Sequence, residues 1–315
     1  MRVAIFGGAG FIGSHLCEVL ARSGDDVLIF DNFTMGNNLE GSNWNVVQGN
    51  MLDGELIRNV LSDFKPNQVL HLAANSDIRA SSEDPSIDFE NTFQSTAALL
   101  LALDPSVTST LVFASSSAIF GDLGRARISE GSRRKPESTY GWMKLSSELL
   151  IQQYTKMNPE FRALCLRFPN VTGARQTHGV VKDLVEKLAK DTSFLEVLGD
   201  GTQTKPYVHV SELVQAIVEL IEMDWSGYEE LNFAPKSTTS VREIVSTILE
   251  QSGLTPTVKY GSTRNGWPGD VPEYSFDSTK ASVLLPRIKI SSSHSAISRS
   301  VSEELRKWDL PSSVS

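Results

Sequence analysis

Short apolar runs rich in β-branched residues alternate with longer amphipathic segments through the first half of the chain. The runs are Val3–Phe6, Val27–Phe30, Val46–Val47, Gln68–His71, Thr110–Ala114 and Ala163–Arg167. Between them, at about 11–23, 52–64, 87–103 and 140–157, apolar residues recur at the spacing of one helix face. Strands with so little polar alternation are buried on both sides. The pattern therefore predicts an α/β fold, a doubly wound parallel sheet with helices on both faces. Such sheets take ligands at the carboxyl ends of their strands.

After Arg167 the rhythm breaks. Pro169, Gly173, Gly179, Gly199, Gly201 and Pro206 punctuate the chain, with one helix near 179–190. A strand at Tyr207–Val210, a helix at about 211–223, a run at Leu231–Phe233 and a helix at about 240–252 follow. Residues 1–168 are thus expected to form the main sheet domain, to which about 206–223 returns. Residues 169–315 are expected to form a smaller α/β lobe. The serine-rich stretch 291–302 could pass for low complexity, but Ile297, Val301 and Leu305 repeat every four residues behind Ser293, which predicts a capped terminal helix.

Composition narrows the function. With 29 Lys plus Arg against 38 Asp plus Glu, the net charge is −9. This argues against a nucleic-acid surface, because phosphate binding needs basic residues. No apolar run approaches the roughly 20 residues of a membrane span. The first residues already read as a strand, so no signal peptide and a cytoplasmic location are expected. Cys17 and Cys165 are the only cysteines, so neither a disulfide framework nor a cysteine-rich zinc site is expected. His15, His71, His178, His209 and His294 lack metal-ligand spacing, and no metal is expected.

The first predicted strand runs into Gly7-Gly8-Ala9-Gly10-Phe11-Ile12-Gly13. Gly8, Gly10 and Gly13 fit G-x-G-x-x-G, and Gly7, Gly10 and Gly13 fit G-x-x-G-x-x-G. Glycine is needed there for a tight turn, for backbone approach to a pyrophosphate and for close helix–strand contact. The following helix offers its unpaired N–H groups to the phosphates. The second strand ends on Asp31, 18 residues beyond Gly13, where an acid meets the adenosine ribose hydroxyls. Its charge would repel a 2′-phosphate, which favours NAD over NADP. These features together describe a Rossmann-type nucleotide site.

Tyr140 and Lys144 lie four apart on a predicted helix and so share a face. A free phenol ionises near pH 10, and a neighbouring cation lowers that value, so Lys144 is expected to acidify Tyr140. The fifth strand ends in Ser115-Ser116-Ser117, where a hydroxyl could meet a substrate oxygen beside Tyr140. The residues alone do not choose among the three serines.

The combination Gly7-x-x-Gly10-x-x-Gly13, Ser-Ser-x-x-x-x-Gly and Tyr140-x-x-x-Lys144 resembles the extended short-chain dehydrogenase/reductase family of nucleotide-sugar enzymes. Within that family the likeness is greatest to UDP-glucose 4-epimerases of the shorter, archaeal type. It runs almost end to end, through His71-Leu72-Ala73-Ala74, Arg167-Phe168-Pro169-Asn170-Val171, Gly199-Asp200-Gly201-Thr202-Gln203 and Gly266-Trp267-Pro268-Gly269-Asp270. The resemblance implies an NAD-dependent isomerase that inverts C4 of a UDP-sugar through a transient 4-keto sugar. It makes Tyr140 the acid/base, Lys144 the group on the nicotinamide ribose, and Ser116 the substrate-facing hydroxyl, with Ser117 the alternative.

The resemblance also implies that the cofactor meets Gly7, Gly10, Phe11, Ile12, Gly13, Asp31, Asn32, Asn50, Met51, Leu72, Ala73, Ala74, Asn91 and Pro169, besides Tyr140 and Lys144. The substrate would meet Ser116, Ser117, Asn170, Val180, Val181, Lys205, Tyr207, Arg264 and Asp270. Helices near 87–103 and 140–157 would form a homodimer seam, although core packing explains their apolar faces equally well. The chain departs from the family at four places. Phe120 stands where a tyrosine is usual, Asn50 where an aspartate grips the adenine amine, and Lys205 and Trp267 where arginines are common.

Two other readings compete. A 4,6-dehydratase needs an acid pair after strand five, where this chain has Ser117 and Ala118. A non-catalytic NAD-binding regulator typically loses the tyrosine or the lysine, and both are present.

Overall fold

The computed structural model describes every residue except 42, 76–82, 125, 264–270, 272 and 312–315. The predicted substrate residues Arg264 and Asp270 fall outside the described residues. The chain divides into two compact units. The first comprises Met1–Gly121, Arg133–Arg167 and Val214–Leu231, and the second Asp122–Ser132, Phe168–Leu213 and Asn232–Ser315.

The first unit carries strands β1 (Arg2–Phe6), β2 (Asp26–Asp31), β3 (Asn45–Gln48), β4 (Gln68–His71), β5 (Thr110–Ala114) and β6 (Arg162–Arg167). Each sits where the apolar runs predict. The sheet order from one edge is β3-β2-β1-β4-β5-β6, all parallel, and a seventh strand at Tyr228–Asn232 closes the other edge beyond β6. The order reverses between β1 and β4, so the carboxyl ends of these two strands flank the switch point at which such sheets bind ligands.

Helices α1 (Phe11–Arg22), α2 (Gly54–Phe64), α3 (Ser95–Ala102) and α4 (Thr139–Met157) connect the strands. Ala4, Phe6, Leu28, Phe30, Leu111 and Phe113 pack with Leu61, Leu99 and Ile151 of α2, α3 and α4. The alternate residues Val3, Ile5, Ile29, Leu70 and Val112 are buried too, so both faces of the sheet are covered. Local signals set the helix starts. Asp53 accepts the Leu56 N–H ahead of α2, and Ser138 accepts the Gly141 N–H ahead of α4.

The helix expected over 87–103 is not uniform. It begins as a turn at Ser86–Asp88, widens to a π-helical stretch at Phe89–Gln94 and becomes α3. The Thr92 carbonyl there accepts from the hydroxyls of Ser95, Thr96 and Ser147, at 3.1, 2.7 and 3.4 Å. Hydroxyls bonded back onto a helix carbonyl compete with its own ladder, and π-helical stretches cluster at functional sites.

The second unit contains β7 (Asn170–Thr172), β8 (Phe194–Val197), β9 (Thr204–Lys205) and β10 (Tyr207–His209), with α5 (Val180–Lys190) between β7 and β8. Strand β10 pairs in parallel with β7, outside the seven-stranded sheet. The segment expected to return at about 206–223 therefore divides. Val214–Leu231 belongs to the first unit, and its sheet strand is Tyr228–Asn232, not Tyr207–Val210. The terminal helix runs Ser293–Lys307 and buries Ile297, Val301 and Leu305. Its cap is Ser292, not Ser293. Ser293 points inward, where its hydroxyl accepts the Tyr207 N–H at 3.1 Å and lies 2.7 Å from that of Thr239.

Candidate active site

Two of the three loop glycines are fixed by close contact. A Cβ at Gly13 would lie 2.3 Å from the Gly7 oxygen, and one at Gly7, whose φ is +85°, would lie 2.6 Å from the Ala73 nitrogen. Gly10 differs, because a Cβ there would meet a single atom within 4 Å, the Gly7 oxygen at 3.3 Å. Packing constrains that glycine less than the other two. Gly10 is also the N-cap of α1, without a side-chain cap and with no acid in the first turn. The unpaired N–H groups and the positive helix end are thus left for an anion. This cradle fits the pyrophosphate of a dinucleotide.

Asp31 braces the cradle, a role the spacing argument missed. Its Oδ2 accepts the Ala9 N–H at 2.9 Å and its Oδ1 the Phe33 N–H at 2.8 Å. A carboxylate has about four lone-pair sites, so both oxygens can still accept from ribose hydroxyls. Phe11, Ile12, Asn32, Leu72, Ala73 and Ala74 are half-buried around the same strand ends. Met51 packs into the main core, and Asn50 is exposed with its amide oxygen on the Leu52 N–H at 2.9 Å.

Asn91 is corrected. It is exposed on the π-helical stretch and its amide donates to the Ile87 carbonyl at 2.9 Å. The residue the helix turns inward is Thr92, which is fully buried. The widened turn sets this phase, and sequence periodicity cannot count it.

Tyr140 and Lys144 occupy the first turns of α4. Of the three serines, Ser116 is the one whose hydroxyl acts to lower the Tyr140 phenol, and it accepts the Ala118 N–H at 3.1 Å. Ser115 is buried and donates to Glu148 at 2.5 Å, while Ser117 opens the short turn Ser117–Ile119. Gly141, which spacing did not single out, lets α4 approach this turn, since a Cβ there would lie 2.5 Å from the Ala118 oxygen.

Lys144 is buried, donates to the Ala114 carbonyl at 2.6 Å, and lies 4.7 Å from the Phe113 ring centroid and 5.7 Å from that of Tyr140. The expected acidification of Tyr140 by Lys144 is not met by the protein's own groups. Burial, with Asp88 nearby, pushes the half-buried phenol up to about 12 against the pull of Ser116. Burial likewise brings Lys144 down to about 7, so its charge is only partly present to help.

Behind the pair lies a buried ion network that sequence reading did not find. Arg167, at the end of β6, grips Glu148 of α4 and also reaches Glu230 at 2.8 Å, which Arg134 meets in turn. The Arg167 guanidinium lies 5.4 Å from the Phe120 ring centroid. Phe120 is thus a fully buried partner for Arg167.

In the second unit, Asn170 is exposed, Lys205 is half-buried, and Val180 begins α5. The Val181 and Tyr207 side chains are buried in that unit's core, so any ligand contact by Val181 falls to its main chain. Pro169 is buried. Among the described residues no group of His, Cys, Asp or Glu could hold a metal ion, and no helix is long and apolar enough to cross a membrane.

A glycine cradle, a strand-end serine and a Tyr-x-x-x-Lys helix on one parallel sheet define an extended short-chain dehydrogenase/reductase. The chain belongs to the NAD dependent epimerase/dehydratase family, whose model matches residues 3–233. It is 31% identical over 284 residues to a UDP-glucose 4-epimerase of Rhizobium leguminosarum bv. trifolii, covering 84% of this chain and 86% of the relative. Its fold matches a UDP-glucose 4-epimerase solved with UDP-glucose from Thermotoga maritima, with a TM-score of 0.89 and 28% identity over 98% of this chain and 99% of that one. It also matches a UDP-glucose 4-epimerase from Thermus thermophilus solved with NAD, with a TM-score of 0.86 and 29% identity over 96% and 99%.

Proposed function

We propose that the protein is an NAD-dependent nucleotide-sugar 4-epimerase of the UDP-glucose/UDP-galactose type. The observation that carries this is the placing of Tyr140 and Lys144 in the first turns of one helix, with Lys144 donating to the Ala114 carbonyl at the end of β5, where Ser116 follows. Gly7, Gly10 and Gly13 with the start of α1 hold the pyrophosphate, Asp31 the adenosine ribose, and Lys144 the nicotinamide ribose. NAD held there would supply a ring able to take a hydride from C4 of the sugar and to return it to the other face.

Tyr140 takes the proton of the C4 hydroxyl and gives it back, with Ser116 bonded to the same oxygens. A phenol near 12 keeps its proton at neutral pH, so the positive charge of the oxidised cofactor and of Lys144 has to lower it when the site is loaded. Asn170, Lys205 and the main chain at Val180 and Val181 are assigned to the UDP part. Lysine is a point charge and not a fork, so its hold on a diphosphate is less directional than arginine's. Ser117 and Ala118 offer no acid pair, which sets the dehydratase reading aside.

The same reading includes a homodimer through the helices near 87–103 and 140–157. It is supported by Phe89, Leu101, Trp142, Leu149 and Met157, large apolar residues exposed on these segments. It places the protein in the cytoplasm, in keeping with two free, buried cysteines.

An assay that couples product UDP-glucose to its oxidation tests the activity with UDP-galactose, and nuclear magnetic resonance reads C4 inversion for other UDP-hexoses. Inversion is expected with UDP-galactose and UDP-glucose. Failure with every UDP-hexose, by protein that retains NAD, would overturn the reading.

A further inference from the structure

A buried carboxylate on the turn that packs against the Tyr140–Lys144 helix has none of the roles assigned above. Asp88 ends the turn Ser86–Asp88, which packs against α4. Its side chain is fully buried. One oxygen accepts from Asn75 Nδ2 at 2.8 Å; the other, Oδ2, is buried with no hydrogen-bond partner. A carboxylate left half-satisfied inside a protein is costly unless a cation compensates it.

The groups around Lys144 show which cation and which acid remain. Lys144 has three N–H donors and one acceptor, the Ala114 carbonyl. Glu148, one turn further along α4, has both oxygens bonded by Arg167 and one of them also by Ser115. His71 on β4 is drawn down to about 3 by burial and by Lys144, so it is neutral. The Cys165 thiol on β6 is pushed up by burial and stays protonated. Tyr140, pushed up by burial, holds its proton at neutral pH. Among the described groups that act on Lys144, Asp88 is therefore the carboxylate with an oxygen still open.

We infer that Asp88 is the buried counter-ion of Lys144 and a positioning residue for proton transfer at Tyr140, holding the lysine as an ammonium while opposing ionisation of the phenol. The electrostatics run the same way. After burial, Asp88 is the largest influence on Lys144 and acts to raise it, and it raises Tyr140 as well. The inference rests on the reading of Tyr140 and Lys144 as the acid–base pair.

The test is Asp88→Asn in the NAD-bound protein, since the amide keeps an acceptor for Asn75 and loses the charge. Tyr140 is followed by phenolate absorbance against Tyr140→Phe, and Lys144 by nitrogen-15 lysine resonances assigned with Lys144→Met. Both titrations should move toward acid by about one pH unit, and the pH–kcat profile with UDP-galactose should move with them while KM is unchanged. Asp88→Ser, also neutral and also able to accept from Asn75, should give the same displacement if the asparagine variant does not fold. If neither neutral variant folds, Asp88→Glu has to leave both titrations in place. Titrations that stay put in a neutral variant, or that move in opposite directions, would overturn the inference. The spectroscopic titrations need no turnover, so a protein inert toward UDP-hexoses that still shows the displacement refutes only the proposed activity.

Discussion

Arg167 and Glu148 meet through two parallel bonds, Nε to Oε1 at 2.8 Å and Nη2 to Oε2 at 2.6 Å, with both side chains fully buried. The pair ties the end of β6 to the helix that carries Tyr140 and Lys144. Ser115, next to Ser116 in the chain, joins the same carboxylate. Arg167→Met leaves the Glu148 charge without its cation and should cost about 3–5 kcal/mol in urea unfolding. Arg167→Lys should recover little, because an ammonium cannot form the fork. Two variants as stable as the wild type would show that the network does not hold the site together.

The cradle glycines should fail in different ways. Gly13→Ala places a methyl against backbone atoms of Gly7 and Gly8 and should lower the melting temperature with or without cofactor. Gly10→Ala should leave the ligand-free melting temperature almost unchanged but lose retained NAD, measured by absorbance after denaturation. Full NAD retention by Gly10→Ala would remove the cradle from the phosphate site.

At the reacting end, Tyr140→Phe should keep its NAD and lose turnover by about 10²–10⁴-fold, the usual worth of a positioned acid–base group. Ser116→Ala should lower kcat far more than Ser117→Ala, since Ser116 is the serine that acts on the phenol. Gly141→Ala should reduce kcat by pushing α4 off the Ala118 carbonyl, 2.5 Å from the added methyl. Steady-state kinetics on the four variants check this order, and a Ser117→Ala defect equal to that of Ser116→Ala would contradict it.

Lys144 makes stability depend on pH. Burial lowers its pKa from 10.5 to about 7, so between these values the unfolded chain binds a proton that the folded one has lost. Stability from this group therefore rises with pH across that window, and the cost of burying the ammonium is full below it. Lys144→Met removes the titration. Its stability advantage over the ligand-free wild type should be greatest below about pH 7 and shrink toward 10.5, in urea melts at several pH values. A difference that does not change with pH would contradict the assigned burial.

Leu149 and Trp142 are each about half exposed on α4, at 52% and 50%. Leu149→Glu should convert a dimer to a monomer in sedimentation velocity. A wild-type protein that sediments as a monomer would remove the dimer from the proposal.

The period of the apolar residues already carries the alternation of β1 to β6 with their helices, because a strand buried on two faces and a helix buried on one leave different repeats. The cradle was legible for a similar reason: Gly7, Gly10 and Gly13 sit in one continuous turn, so local chemistry fixes their use. Tyr140 and Lys144 share a helix and needed only its pitch. Long-range contacts decided the rest. Which of Ser115, Ser116 and Ser117 acts on Tyr140 depends on how α4 is laid against the end of β5. The inward Thr92 and outward Asn91 depend on a π-helical turn that hydroxyl groups on other turns and on α4 help to widen. Asp88, Glu148 and Arg167 read in the chain as ordinary charges, and only folding removes them from water and makes each charge depend on its neighbour. A buried charge has no signature in one dimension, because its energy belongs to the groups that surround it.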